Sequence, residues 1–168
     1  MKWGKADFKE FKKLAEQIEK AEKESQEFCE SVVKELLARL LAKVIPATPV
    51  GDGTLRRGWI SGSEGEAQGG GDVSSGEITA YAESVDIRKN GDVYEIEIIN
   101  PVNHALFKEY GHRTRQGTGT APNYKPKPGG QVWVEGSFML TISEQDLKRE
   151  APNIIKKKLE KFLKEIMP

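Results

Sequence analysis

Apolar residues recur at alternating spacings of three and four from Phe11 to Val32, and no proline or glycine interrupts the chain between Ala6 and Val44. This period is typical of an amphipathic α-helix, and it predicts a helix that begins near Asp7. At about 1.5 Å per residue, such a helix would extend close to 60 Å, which is longer than a compact domain of this size. Part of the helix is therefore expected to project.

The apolar face of this helix is uneven along its length. It is thin at Ala21 and Ser25, and it broadens after Val32 into valines and leucines that continue to Val44. The second half is therefore expected to pack against the core. Two interpretations of the first half remain open: a solvated or coiled-coil helix with glutamate and lysine flanks, or a helix that packs on neighbouring subunits.

Two segments rich in glycine and proline lie further along the chain. Pro46 and Pro49 are predicted to end the long helix, because proline supplies no backbone donor. Residues 51–76 contain nine glycines and few large apolar residues, which indicates mostly loop. We expect residues 62–76 and 114–130 to be mobile in the free subunit and to become ordered on assembly.

Short strands are predicted around these loops. Apolar and acidic residues alternate from Val93 to Asn100, which is typical of a half-buried strand, and a second strand is predicted from Ser84 to Arg88. Residues 89–92 between them contain Asn-Gly, which favours the positive φ angles of a tight hairpin turn. Residues 131–140 are a candidate for a further strand.

Two more helices are predicted. Asn100 and Pro101 open a short one through about Tyr110, with Gly111 as its C-terminal cap. The last helix is expected to start where Ser143 and Asp146 give an N-terminal signature, and Pro152 is expected to break or kink it.

This order of elements is an α+β pattern: a long N-terminal helix, a small antiparallel sheet with a hairpin and short helix, and a C-terminal helix. We expect a single domain over residues 1–168, with the long, partly projecting helix at 1–45, a sheet and loop core at 46–143, and the C-terminal helix at 144–168.

Composition argues against several classes of function. The chain has 26 basic and 26 acidic residues, so it lacks the positive field that non-specific nucleic-acid binding requires. No segment approaches the roughly 20 apolar residues that cross a bilayer, and no leader is recognised, so we expect a cytoplasmic protein without membrane contact. The single Cys29 is interpreted as a small buried hydrophobe rather than a reactive thiol.

The pattern of polar residues gives no catalytic constellation. His104 and His112 are the only histidines, and the further ligands of a zinc site are missing, so we expect neither metal nor cofactor. Glu109 could act as a general base, but beside Lys108, Arg113 and Arg115 a structural ion pair is favoured. The protein is therefore not expected to be an enzyme.

Two tryptophans and two arginines are suited to an interaction with another protein. Trp59 and Trp133 lie beside glycine-rich loops, where they are either core anchors or interface anchors. Arg113 and Arg115 match the carboxylate groups of a protein partner as well as they match phosphate.

Three segments resemble one known family. They are TPVGDGTLRRGW at 48–59, HALFKEYGHRTR at 104–115 and GSFMLTISE at 136–144. Each is similar to a segment of the phage tail-completion proteins of the gene-product-ten type, found in lambda-like tails and in related defective-prophage particles, and they occur in the family's order. His104 stands where the family usually has tyrosine.

The resemblance implies a structural virion protein at the neck of a phage tail or tail-like particle, assembled in the cytoplasm of the host bacterium. It would form a ring, most often of six copies, that completes the tail and joins it to the head connector. Its implied partners are its own copies, the tail tube or tail terminator protein and the head-tail connector proteins, with DNA contact only through the ring lumen. The expected interface residues are Arg56, Arg57, Trp59, Phe107, Glu109, His112, Arg113, Arg115, Trp133 and Phe138.

A nucleic-acid-binding module is the alternative from another class. It would use six basic residues on loops, provided that they converge on one face or line a channel. These residues are Arg56, Arg57, Arg113, Arg115, Lys125 and Lys127.

Overall fold

Five helices and four short strands make up the described part of a computed structural model, which covers residues 9–51, 53–61, 71–113 and 133–166. The elements are α1 (Lys9–Ala47), α2 (Thr54–Gly58), α3 (Ser75–Ser84), β1 (Arg88–Asn90), β2 (Val93–Glu95), α4 (Ala105–Tyr110), β3 (Gly111–Arg113), β4 (Trp133–Glu135) and α5 (Met139–Ile166). Two antiparallel two-stranded sheets form, β1 with β2 and β3 with β4. The predicted α+β class is confirmed, with helix as the larger part.

The two long helices, α1 and α5, pack against each other in opposite directions. The rings of Phe28 and Phe162 stack with centroids 4.5 Å apart. Lys158 pairs with Glu35 at 2.9 Å, and its hydrogen bond holds the pKa of that carboxyl below the usual range. Near the other end of the contact, Lys43 of α1 pairs with Glu150 of α5 at 2.9 Å. Along the contact, residue numbers increase on α1 while those of their partners on α5 decrease, so the two helices are antiparallel.

The hydrophobic core forms on the second half of α1, as the broadening of its apolar face predicted. Leu41 and Val44 are fully buried, and they pack in one cluster with Trp59 and with Met139 of α5. The cluster also contains Leu37, Ile45, Leu55, Ile78, Ala82 and Ala105. Helices α2, α3 and α4 therefore each contribute residues to a core organised on one long helix.

The first half of α1 projects past the end of α5. Because Phe28 lies opposite Phe162, roughly 20 Å of α1 has no part of α5 beside it. The side chains that the structure describes from Lys12 to Lys23 are exposed, and Ile18 is 60% exposed.

The structure corrects the predictions for the stretch after α1. The expected loop over residues 51–76 contains α2, and the expected strand at 84–88 is wrong because Ser84 ends helix α3. A capping box explains where α3 begins: the Ser74 hydroxyl accepts from the Glu77 backbone N–H, and the Glu77 carboxylate accepts from the Ser74 N–H. Residues 62–70 and 114–132 lie outside the described residues, so most of the predicted mobile segments cannot be compared.

The β1–β2 hairpin and the alternation of exposed and half-buried residues after it agree with the sequence pattern. The predicted strand from Val93 to Asn100 is shorter in the structure. β1 and β2 pair from Arg88–Glu95 to Asn90–Val93, with Gly91 at φ 60° in the turn. Pairing stops at Glu95. Burial nevertheless continues to alternate to Asn100, because Ile96 and Ile98 pack on the core without a partner strand.

Predictions about the helices differ from the structure at four places. The short helix α4 begins at Ala105 rather than at Asn100 and Pro101. α1 continues through Pro46 to Ala47, and α5 begins at Met139 rather than near Ser143. Pro152 does not break α5. The carbonyl that a proline leaves without a donor is that of residue 148, and Lys148 lies on the exposed face, where water can replace the lost bond.

A set of hydrogen bonds ties the end of α1 to α2. The buried hydroxyl of Thr48 donates to Val44 O at 2.7 Å and accepts from the indole N–H of Trp59 at 2.9 Å. The Arg56 guanidinium donates to Thr48 O at 2.9 Å and to Pro46 O at 3.3 Å. These carbonyls lie at the C-terminal end of α1, where a helix leaves acceptors without intrahelical partners. The chain therefore reverses direction here with its polar groups satisfied.

Asn100 holds α2 from the opposite side. Its side-chain amide donates to Leu55 O at 2.9 Å, and its carbonyl oxygen accepts from the Val102 N–H at 3.2 Å. A Cβ on Gly58 would collide with the Asn100 side chain, so this close approach requires glycine.

Thr48→Val should destabilise the subunit by about 1–3 kcal/mol, because the buried indole N–H of Trp59 would lose its acceptor while the side-chain volume stays nearly constant. Thr79→Val is the matched control, since the exposed Thr79 hydroxyl donates only to Ser75 O within its own helix. This control should change stability by less than about 0.5 kcal/mol. Chemical denaturation of both variants makes the comparison, and equal effects would contradict the assigned role of Thr48.

Glu77 should contribute stability that depends on pH. Hydrogen bonds from Ser74, with a further one from Arg57, lower the pKa of Glu77 from 4.5 to about 2. Because the pKa is depressed in the folded state, the contribution is present above about pH 4.5 and is lost as the pH falls toward 2.

The melting temperature of Glu77→Gln should therefore lie below that of the unmodified protein near neutral pH, and the gap should narrow below about pH 4. Glu95→Gln, at an exposed position in β2, is the control. A gap of constant size across this range would rule out the linkage.

Candidate functional site

The end of α4, the β3–β4 sheet and the start of α5 form one compact unit. β3 pairs with β4 so that His112 lies opposite Val134 and Arg113 lies opposite Trp133. The chain then turns back onto α4, where the Ser137 N–H donates to Lys108 O at 2.7 Å. This hydrogen bond satisfies a carbonyl at the C-terminal end of α4 and fixes that end of the helix to the segment after β4.

Glu109 joins this unit to the N-terminus of α5. Its carboxylate is 5% exposed, and it accepts from the backbone N–H groups of Leu140 and Thr141, each at 2.9 Å. The Thr141 hydroxyl donates to it at 2.7 Å. The first N–H groups of a helix lack intrahelical acceptors and carry partial positive charge, so a carboxylate there is doubly favourable.

This geometry corrects the ion pair expected for Glu109. In the described part of the chain its partners are helix N–H groups and a hydroxyl, and neither Lys108 nor Arg113 contacts it. Its acceptor sites are occupied within the subunit, and it is buried. Glu109 therefore has a structural role in the subunit. The sequence pattern also favours a structural role over that of a general base.

Two glycines permit the close approach within this unit. Gly111 has φ 84°, and a Cβ there would meet Val134 O at 2.5 Å. A Cβ on Gly136 would collide with Glu109 O. The sheet, the end of α4 and the residues that lead into α5 are thus in close backbone contact, which makes a rigid support.

Large apolar side chains cover the outside of this support. The helix α4 exposes 68% of Leu106, 54% of Phe107 and 57% of Tyr110, and the sheet exposes 56% of Trp133. We call the set the α4–β4 surface: Leu106, Phe107, Tyr110, Trp133, Val134, Phe138 and Ile142. Successive residues of a strand lie on opposite faces, so Val134 and His112 lie on one face of the β3–β4 sheet and Trp133 and Arg113 on the other. Large apolar residues are thus exposed on both sides of this unit, which is typical of a protein interaction site rather than of a solvated face.

Two polar residues lie at this surface. The His112 ring lies 5.6 Å from the Phe107 ring, and its Nδ1 is buried with no hydrogen-bond partner among the described residues. Arg113 is exposed beside Trp133, and the described residues offer it no carboxylate. A charged guanidinium next to exposed aromatics can bind a carboxylate or stack on a ring.

The structure brings together six of the ten residues expected at an interface. Phe107, His112, Arg113, Trp133 and Phe138 lie on or beside the α4–β4 surface, and Glu109 lies beneath it. Sequence reasoning missed Leu106, Tyr110, Val134 and Ile142. The spacing of four between Leu106 and Tyr110 was a signal for a shared helix face, but spacing alone does not separate an exposed face from a buried one.

The other expected interface residues are engaged inside the subunit or lie outside the described residues. Trp59 is 4% exposed and belongs to the core, which favours the core-anchor interpretation. Arg56 pairs with Asp72 at 2.6 Å, and Arg57 pairs with Glu77 at 3.2 Å. Arg115 is among the residues that the structure does not describe.

These ion pairs weaken the case for a nucleic-acid-binding module. Two of its six basic residues, Arg56 and Arg57, are neutralised by carboxylates of the same chain. Arg115, Lys125 and Lys127 lie outside the described residues, and the exposed Arg113 alone does not make a basic face. The described geometry therefore offers no specific support for this alternative.

Over the described ranges, no group of three or more histidine, cysteine, aspartate or glutamate side chains is placed to hold a metal ion. Cys29 is partly buried and unpaired. Among the helices that the structure describes, none combines the length and apolar character needed to cross a bilayer.

Glu109→Gln should destabilise the subunit by about 1.5–3 kcal/mol, because an amide N–H₂ would face the helix N–H groups and the charge-assisted hydrogen bonds would be lost. Glu135→Gln, on the exposed strand β4, provides the control and should change stability by less than about 0.5 kcal/mol. Thermal and chemical unfolding measure both variants. Similar stability of the two variants would contradict the capping role.

Comparison with known proteins gives one family. The family model described as Bacteriophage HK97-gp10, tail-component, matches residues 12–111, which is more than half of the chain. No curated protein and no solved structure matched the chain. The matched range runs from the projecting part of α1 through the core to Gly111, so it includes α4 and the start of the sheet that supports the α4–β4 surface. The chain therefore belongs to the HK97 gp10-like family of phage tail components.

Proposed function

We propose that this protein is a structural, non-enzymatic component at the neck of a phage tail or phage-tail-like particle. There it completes the tail and joins it to the head connector as an oligomeric ring. The family match is the observation that carries the proposal, because it covers α1, the core and α4 together.

The α4–β4 surface is the proposed joining surface. It presents exposed aromatics on a support whose backbone is held by Glu109 and by the two glycines at positions 111 and 136. A preorganised apolar surface loses little conformational entropy on binding, and aromatic and arginine residues are enriched where binding energy concentrates. We expect its partner to be a connector or tail terminator protein with an apolar patch and a nearby carboxylate for Arg113.

The ring is proposed to contain six copies, as the resemblance to tail-completion proteins implies. A ring requires a heterologous interface, in which two different surfaces of the same subunit meet and one rotation closes the assembly. The joining surface is then left free to bind the next component. In the proposed particle the protein is part of the virion, after assembly in the bacterial cytoplasm.

The joining surface can be tested with variants that preserve the fold. Leu106→Gln combined with Phe107→Gln removes two exposed apolar side chains and keeps residues that favour helix. We expect electron microscopy to show tails that are made but not joined, since the loss of central apolar contacts typically costs more than about 1 kcal/mol each. Thermal unfolding of the isolated variant should match that of the unmodified subunit.

Val93→Gln is the matched control, because Val93 is 56% exposed on the β1–β2 hairpin and outside the α4–β4 surface. It should leave joining intact. The charge contribution is tested in the same assay with Arg113→Ala and Arg115→Ala together, which should also block joining. Replacement of both by lysine should restore joining only in part, because lysine lacks the planar fork. Normal particles from both the apolar variant and the alanine variant would refute the assignment of this surface.

A further inference from the structure

Helix α5 carries an exposed apolar stripe that no described element covers. Ile155 is 37% exposed, and Leu159 and Leu163 are each 40% exposed. Their spacing of four places them on one face of the helix. They do not belong to the α4–β4 surface, which meets α5 only at its first turns.

The stripe lies along one edge of the α1–α5 contact. Each residue of the stripe comes directly after a residue of α5 that faces α1. Leu159 follows Lys158 in this way, and Leu163 follows Phe162. On α1, Cys29 follows Phe28 in the same way, and it is partly buried. Two antiparallel right-handed helices advance in opposite directions, so the residues that follow contact positions lie on the same side of both helices. The helix pair therefore has an open side with apolar residues from both members.

The open side continues along α1 beyond the end of α5. Ile18 is 60% exposed, and it lies on the same edge of α1 as Cys29, since eleven residues are close to three helical turns. The thin seam at Ala21 and Ser25 lies beside this edge. Ser25 lies level with the last turn of α5, and Ala21 and Ile18 lie beyond its end. Within its own subunit, this part of α1 has no described helix to pack against.

The charges on the two helices are complementary. Residues 16–30 of α1 contain six glutamates and two lysines, a net charge of −4. Residues 155–165 of α5 contain five lysines and two glutamates, a net charge of +3. Among the described residues Lys158 pairs across to Glu35, whereas Glu22 and Lys156 take part in no ion pair. Glu24 and Glu27 border the same groove as Lys161 of their own subunit, so the unmatched charge lies mainly on residues 16–22 of α1 and on Lys156, Lys157 and Lys164 of α5.

We propose that the stripe of α5 packs along residues 16–30 of α1 in a second copy of this chain. The contact would cover Ile155, Leu159 and Leu163 with the edge of α1 that carries Ile18, and would bring the basic end of α5 to the acidic part of α1. It rests on the proposed function only in that the ring would use this contact between its subunits. Each copy carries both surfaces, so each can contact two neighbours.

A second copy fits these observations better than an unrelated partner. The net charges of the acidic part of α1 and the basic end of α5 are opposite in sign and nearly equal in magnitude, and both segments are present in every copy. Opposite potentials across an interface favour the correct partner and penalise like charges. The apolar stripe and seam are narrow, as expected for helices that must remain soluble before assembly.

A charge-reversal cycle on the full chain tests the contact. Glu22 lies one turn after Ile18, and Lys156 lies one turn before Leu159, so both border the proposed contact. Glu22→Lys and Lys156→Glu should each weaken self-association about tenfold, and the two together should restore most of it. Leu159→Glu should weaken it by at least about tenfold, while the exposed Val50→Glu should have no effect. Light scattering and sedimentation measure association, and circular dichroism confirms folding.

The results separate this inference from the proposed function. Failure of the double reversal to restore association, or a protein that stays monomeric at about 1 mM, would overturn the contact. A closed two-copy complex that follows the cycle would support the contact and contradict the ring. If all of these variants still form a six-copy ring with unchanged affinity, the contact is overturned and the ring remains supported. The α4–β4 variant Leu106→Gln with Phe107→Gln should leave self-association unchanged.

Discussion

The carboxylate of Glu109 at the start of α5 is the interaction on which much of the described structure depends. By accepting from the N–H groups of residues 140 and 141, it fixes where α5 begins and in which direction it leaves the sheet. Met139 is thereby placed in the core, and the helix continues antiparallel to α1. The same carboxylate holds the end of α4, so the apolar side chains of α4 are presented outward on a fixed backbone. A single buried group thus couples the packing of the long helices to the exposed surface.

The segment TPVGDGTLRRGW has a structural role in the subunit. Thr48, Arg56 and Trp59 close the end of α1 with hydrogen bonds, and Arg57 reaches the cap of α3 through Glu77. An arginine that satisfies helix carbonyls and a carboxylate at once is held by several bonds, and its exchange for lysine would lose the planar geometry. This segment therefore stabilises the fold of the subunit, whereas the exposed residues of α4 leave their side chains available to a partner.

The parts of the fold that depend on local sequence could be predicted, and those that depend on distant partners could not. The length of α1, the burial of its second half and the Asn-Gly hairpin follow from periodicity and turn chemistry. Helix α3 is not predicted although Ser74 and Glu77 form a capping box, because the glycines that precede it favour loop over helix. The start of α5 depends on Glu109, thirty residues earlier, which no local pattern reveals. For the same reason Arg56 and Trp59 were expected at an interface, since their partners are known only from the fold.

A net charge of zero conceals a strong separation of charge along the two long helices. Where α1 and α5 overlap, pairs such as Lys158 with Glu35 and Lys43 with Glu150 join them, but the acidic part of α1 extends beyond α5. Exposed pairs contribute little individually, and the apolar stripe of α5 is only partly exposed, so one contact between copies would be weak. On the proposed arrangement each subunit in a closed ring makes two such contacts, and the last subunit to join gains both at once. In such a ring, weak contacts of this kind would keep free subunits apart and still hold the complete ring together.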